Sequence, residues 1–255
     1  MGPAADCVVH VTVIAMWAHP RAVSTAFLRM MIERGDVTVV HEPLVLLTDH
    51  GEVALPALAA DGGADGATTT VRDPGALLDH LAALGEEGPV FFKDTLEYSY
   101  RHLFDHPEQI AGFVHTFIVR DPARAIASHH AVKPEMACRE AGYEHQWALF
   151  ELARRATGVD PVVVSAERLL AEPAAVVAAY CAQVGLPHRP EALSWKPGER
   201  AEWEQNRRWH LDAIASSSFR LPDREYTVTV ENDARLRSYY EHHLPYYERL
   251  VAHAL

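Results

Sequence analysis

Cysteine is scarce. Cys7, Cys138 and Cys181 are the only three in 255 residues. They are odd in number, far apart and form no CxxC pair, so they read as reduced thiols of a cytoplasmic protein rather than a disulfide or zinc framework. No apolar run approaches the ~20 residues that a membrane span requires. Residues 1–17 lack the basic opening of a signal peptide. Basic charge is also short: 23 Lys and Arg stand against 35 Asp and Glu, a formal net charge of -12. That balance argues against a nucleic-acid backbone or an anionic membrane as the main partner. Any anion must therefore be captured by a local site working against the global field. The nucleotide loop GxxxxGK[ST] is missing too, with no glycine between Trp17 and Phe27 and no lysine before Ser24-Thr25. An ATPase or GTPase built on a Mg²⁺-binding serine is thereby disfavoured, and no ligand spacing suggests a metal.

What is present has α/β organisation. Val8 to Trp17 is a near-continuous apolar run, the mark of a strand buried on both faces. After Pro20, residues Val23 to Glu33 carry apolar side chains at helical spacing, with Gly35 as a stop. Further strands are expected at Val37–Val40, Val90–Phe92, Phe113–Val119 and Val162–Val164, separated by helical stretches. The last helix is expected from Asn232, a good N-cap, with Tyr239, Tyr240, Tyr246 and Tyr247 packing it on the sheet. Thr48 to Thr70 dissolves into Gly, Ala, Asp and Thr and reads as a long loop, so 45–72 is a candidate lid or substrate segment. The expected fold is one α/β domain over residues 1–255, a mostly parallel sheet with helices on both faces. His129, His130, His242 and His243 read as helix-surface residues.

Two segments carry chemistry. Pro20-Arg21-Ala22-Val23-Ser24-Thr25 joins the first strand to the first helix. Amides at a helix start have no partner within the helix, and its dipole favours an anion there. Arg21 adds a planar cation, Ser24 and Thr25 hydroxyl donors. The second segment, Arg120-Asp121-Pro122, ends another strand, with Ser128 eight positions beyond Arg120. Ligands of parallel sheets bind at the carboxyl ends of strands, so Arg21 and Arg120 can converge on one polyanion.

PRAVSTAF resembles the 5′-phosphosulfate loop, and FIVRDPARAIASHH the 3′-phosphate motif, of sulfotransferases that use 3′-phosphoadenosine 5′-phosphosulfate (PAPS) and release PAP. Trp195-Lys196-Pro197-Gly198 and Ser217-Ser218-Phe219 resemble late segments of bacterial members. Ala22-Val23 departs from the Ser-Gly common in that loop, and Gly would allow closer backbone approach. The resemblance implies a P-loop-related fold without metal. Arg21, Ala22, Val23, Ser24, Thr25 and Ala26 would then hold the 5′ end, and Arg120 and Ser128 the 3′-phosphate. Ser217, Ser218 and Phe219 join the cofactor set, Phe219 as a stacking surface for adenine. It further implies a strand-end base for a small-molecule hydroxyl acceptor: Glu42, His41 or Asp94, with Lys93 beside the transferring group. The composition fits a bacterial natural product or metabolite as acceptor. A homodimer is left open, as are a divergent P-loop kinase and a non-catalytic nucleotide-binding protein.

Overall fold

The computed structural model describes residues 13–61, 66–200, 203, 207–220 and 224–255. From the N-terminus come β1 (Val13–Ala18), α1 (Ser24–Arg34), β2 (Thr38–His41), α2 (Pro43–His50), β3 (Val53–Pro56), β4 (Thr68–Val71), α3 (Pro74–Glu87) and β5 (Val90–Thr95). They are followed by α4 (Arg101–Asp105), β6 (Val114–Val119), α5 (Pro122–Val132), α6 (Tyr143–Thr157) and β7 (Val162–Ser165). Last come α7 (Ala166–Ala171), α8 (Pro173–Val184), α9 (Leu211–Ala215) and α10 (Ala234–Val251). Five strands form one parallel sheet in the order β2-β5-β1-β6-β7.

The apolar run of β1 follows from this position. Side chains alternate across a strand, so Val13, Ala15 and Trp17 join one core with Leu77 of α3 and Phe150 of α6. Ile14, Met16 and Ala18 join the other with Phe27 of α1 and Val177 of α8. All six are buried, and each large side chain so covered contributes about 1.5–3 kcal/mol. The α/β fold with helices on both faces is thus as the alternation of elements implies.

Several local expectations are corrected. Segment 45–72 is not an extended loop: it contains most of α2 and the antiparallel pair β3–β4, with 62–65 outside the described residues. Its Gly- and Thr-rich composition hid a short hairpin whose inward faces hold only Val53, Leu55 and Val71. Lys93 and Asp94 lie inside β5, which runs on to Thr95. The N-cap of α10 is Asp233, whose carboxylate accepts from the Leu236 amide, while Asn232 binds the Thr229 amide instead. The α10 tyrosines pack chiefly over a third cluster formed by α5, α6 and their connection. His129 and His243 are buried rather than on the surface. Cys7 and the 8–12 part of the first apolar run lie outside the described residues.

Candidate active site

β1 and β6 pair in register as far as Ala18 and Ile118. There the chain turns toward β2 on one side and β7 on the other, so a crevice opens where the strand order reverses. Separating strands leave carbonyls without partners, a cost that must be met locally. Gln146 of α6 meets it, its amide donating to Trp17 O (3.1 Å) and Ile118 O (2.9 Å). His19 ties the two strand ends together: its Nε2 accepts from the Arg120 amide at 3.0 Å, which leaves Nδ1–H to donate to Pro20 O at 2.9 Å. Burial holds this imidazole neutral, lowering its pKa to about 3. It stacks on Tyr143, which donates to Arg120 O.

The loop between β1 and α1 is bent by two residues in the left-handed region, Arg21 at φ 68° and Val23 at φ 71°. A β-branched residue is strained there. The missing glycine is therefore a matter of conformation, since Val23 adopts the backbone that Gly adopts freely. Ser24 is the first residue of α1, and Val23 is its cap. The Arg21 side chain reaches across the crevice, donating from Nε to Ser128 Oγ (2.9 Å) and from Nη1 to Trp209 O (2.8 Å). Its Nη2 pairs with Asp212 Oδ2 at 2.9 Å. Arg120 Nη1 donates to Arg21 O at 3.1 Å. The two motifs, 99 residues apart in sequence, thus share one wall. The arginine expected at the 5′ end lies against the serine expected at the 3′ end.

Opposite this wall are Glu42 and Lys93. Glu42, left-handed at φ 45°, caps α2 with its backbone, and its Oε1 accepts a hydrogen bond from Lys93 Nζ. Burial by itself would raise the Glu42 pKa. The Lys93 ammonium, followed by His41 and His210, overcomes this and holds it at about 2. His41 Nε2 lies 3.4 Å from Glu42 Oε2. Asp94 points to the other side of β5 and accepts from the amides of Leu44 (2.7 Å) and Val45 (3.1 Å) at the start of α2. It is fully buried, which pushes its pKa up to about 8.

The crevice opens into a cavity of about 940 Å³. The 21–26 loop, Glu42, Lys93, Arg120, Ser128 and Phe219 line it. His41, Asp94, Ser217 and Ser218 do not, for Asp94 is spent on α2 and Ser217 is exposed with its carbonyl bound to the Trp195 amide. Phe219 borders the cavity but packs edge-on against Trp195 and beside Phe27. Of segment 45–72, Val45 and Asp49 reach the cavity.

Four polar residues of this region carried no readable signal: His19, Gln146, His210 and Asp212. His210 precedes α9, with Nδ1 3.3 Å from Thr25 Oγ1 and its ring edge-on to His41. Burial lowers its pKa to about 3, and its buried Nε2 has no hydrogen-bond partner among the described residues. His41, Glu42 and His210 bring potential ligand atoms within 4.8 Å of one another. The Lys93 ammonium on Glu42 already supplies the cation this trio would attract.

A doubly wound parallel sheet with an arginine-walled crevice at its reversal defines the class: an α/β protein with a basic-walled crevice at its strand ends. The chain belongs to the Sulfotransferase domain family, whose model matches residues 12–254. It is 25% identical over 224 residues to branched-chain-amino-acid aminotransferase-like protein 1 of Arabidopsis thaliana, covering 82% of this chain and 37% of that protein. For branched-chain-amino-acid aminotransferase-like protein 2 of the same plant the identity is 22% over 228 residues, covering 85% of this chain and 38% of that protein. The chain thus spans little more than a third of these relatives. Among solved structures, the sulfotransferase domain of the Synechococcus PCC 7002 olefin synthase superposes with a TM-score of 0.50 at 14% identity, over 90% of this chain and 94% of that one. That likeness is one of fold. No described helix is long and apolar enough to cross a membrane.

Proposed function

We propose that this domain transfers the sulfuryl group of PAPS to a hydroxyl of a small-molecule acceptor in the cytoplasm. The observation that carries the reading is the meeting of Arg21, Arg120 and Ser128 beside the N-terminus of α1, at the reversal of the sheet. Two arginines and a hydroxyl suit a 3′-phosphate, and the first-turn amides with Ser24, Thr25 and Lys93 suit the 5′-phosphosulfate. The side chain of Arg21 accordingly serves the 3′ end.

In the step itself the acceptor oxygen bonds to sulfur as the bond from sulfur to the PAP oxygen breaks. PAP departs and the hydroxyl proton passes to Glu42. In a loose transition state the attacking oxygen is deprotonated late, when it is strongly acidic. A carboxylate with a low pKa therefore suffices. Once Glu42 is protonated, the Lys93 ammonium is released toward the leaving phosphate, where positive charge is then needed. A second acceptor for the proton is His210, favoured by its Nε2, which has no hydrogen-bond partner among the described residues. The acceptor side also holds Glu97, whose pKa is raised to about 7 by burial and by Glu42 and Asp49. Such a wall repels acceptors with an anionic group near the reacting hydroxyl.

The test compares PAP with adenosine 5′-monophosphate and ATP by calorimetry, with sulfuryl transfer from PAPS to a panel of neutral alcohols. PAP should bind the wild-type protein most tightly. Arg120→Ala and Ser128→Ala should lose about 1–3 kcal/mol toward PAP with little change toward the monophosphate. Glu42→Gln should retain PAP binding and lower turnover about 10²–10⁴-fold. Preference for ATP with Mg²⁺ would establish the kinase alternative. PAP binding without turnover on any alcohol would leave a nucleotide-binding protein. Full turnover in Glu42→Gln and loss in His210→Asn would transfer the base role to His210.

A further inference from the structure

We infer that Cys138, His242 and His243 form a binding site for a zinc-class divalent cation, separate from the sulfuryl-transfer crevice. Cys138 opens the 3₁₀ turn Cys138–Ala141 between α5 and α6, and the two histidines lie on α10. One ligand atom from each of the three falls within 4.8 Å of the others. Cys138 Sγ is 3.6 Å from His243 Nε2. Zn–S and Zn–N bonds of about 2.3 and 2.0–2.1 Å at tetrahedral angles separate sulfur from nitrogen by roughly 3.5 Å, close to that spacing. Glu144 Oε2 lies 3.1 Å from His242 Nε2, the place of a fourth ligand or of a carboxylate orienting the ring. None of these residues lines the crevice cavity.

The chemistry of the set favours a borderline-soft cation over calcium or magnesium, because it joins a thiol and two imidazoles with a single carboxylate. His243 is fully buried, which holds its ring in place beside Cys138. His242 and Glu144 are 45% and 50% exposed, which gives the ion a path from solvent. Binding exchanges the Cys138 thiol proton for the metal and releases that proton to water. The His243 Nε2, now bonded to Cys138 O at 2.7 Å, turns its lone pair to the metal as its proton moves to Nδ1, which has no hydrogen-bond partner among the described residues. The cation would staple the connection after α5, the helix that carries Ser128, to α10.

The experiment uses the full chain without an affinity tag, stripped with chelator and titrated with Zn²⁺ and with Co²⁺. One equivalent of Co²⁺ should bind, with a thiolate-to-cobalt charge-transfer band and tetrahedral visible bands. Saturating Zn²⁺ should raise the thermal midpoint. Cys138→Ser should abolish both signals while melting like the wild type in chelator. His242→Ala, a change at an exposed position, should weaken binding at least tenfold. No band, a band that survives Cys138→Ser, or affinity unmoved by His242→Ala would each overturn the assignment.

Discussion

Asp212 sits on the arginine to which the 3′-phosphate of PAP is proposed to bind. Its carboxylate sits on Arg21 at 2.9 Å and on Arg224 at 2.7 Å, so the arginine that should meet a phosphate is already neutralised from within the protein. Nucleotide binding must displace or share this contact. The Arg21 and Asp212 side chains are 14% and 18% exposed. Their pair therefore lies between an exposed ion pair, worth about 0.2–1 kcal/mol, and a buried one whose breakage costs about 3–5 kcal/mol. Arg224 is 52% exposed, and its share is screened by solvent and salt. A competition of about 1–2 kcal/mol follows, so Asp212→Asn should bind PAP roughly 5- to 30-fold more tightly than the wild type. Calorimetry at two ionic strengths checks both the gain and its decline with salt. Equal or weaker PAP binding by Asp212→Asn would refute the idea that Asp212 competes for the Arg21 site.

Two further outcomes bear on the fold around the crevice. At position 23, Ala and Gly both delete the valine isopropyl group, but only Gly relieves the left-handed backbone. Val23→Gly should thus exceed Val23→Ala in stability by about 1 kcal/mol in urea unfolding, and the reverse order would contradict the strain. Acid should destabilise the protein well before ordinary carboxylates titrate. His19, His115, His129, His210 and His243 have pKa values lowered to about 3 to 4 by burial, so the folded state keeps them neutral while the unfolded chain protonates them below about 6.5. Their contribution is complete above that pH and is lost as pH falls toward 4. Asp94 and Glu97, raised to about 8 and about 7, work in the opposite sense, gaining stability as pH falls over the same window. Five groups outweigh two. At up to about 1.4 kcal/mol per pH unit for each uncompensated proton, a loss on the order of 3 kcal/mol is expected between pH 7 and 5. A denaturant midpoint that stays constant or rises over that range would show the balance to be wrong.

Sequence by itself determined the scaffold and both motifs. Strands buried on two faces are largely apolar, so the runs Val8–Trp17 and Phe113–Val119 could be read as strands, and the described residues place them at Val13–Ala18 and Val114–Val119. Strand ends in a parallel sheet are where ligands bind, so Arg21, Lys93 and Arg120 stood out by position. Periodicity failed where few side chains are buried, as in the β3–β4 hairpin, and at the helix caps, where single hydrogen bonds decide. Only the tertiary structure decided which of the neighbouring acids Glu42 and Asp94 faces the crevice, because residues at one end of the sheet can point to opposite sides of it. It also decided that Arg21 meets Ser128, and it brought in His19, Gln146, His210 and Asp212. Their roles depend on contacts with residues about 100 to 190 positions away, made by hydrogen bonds that leave no pattern along the chain.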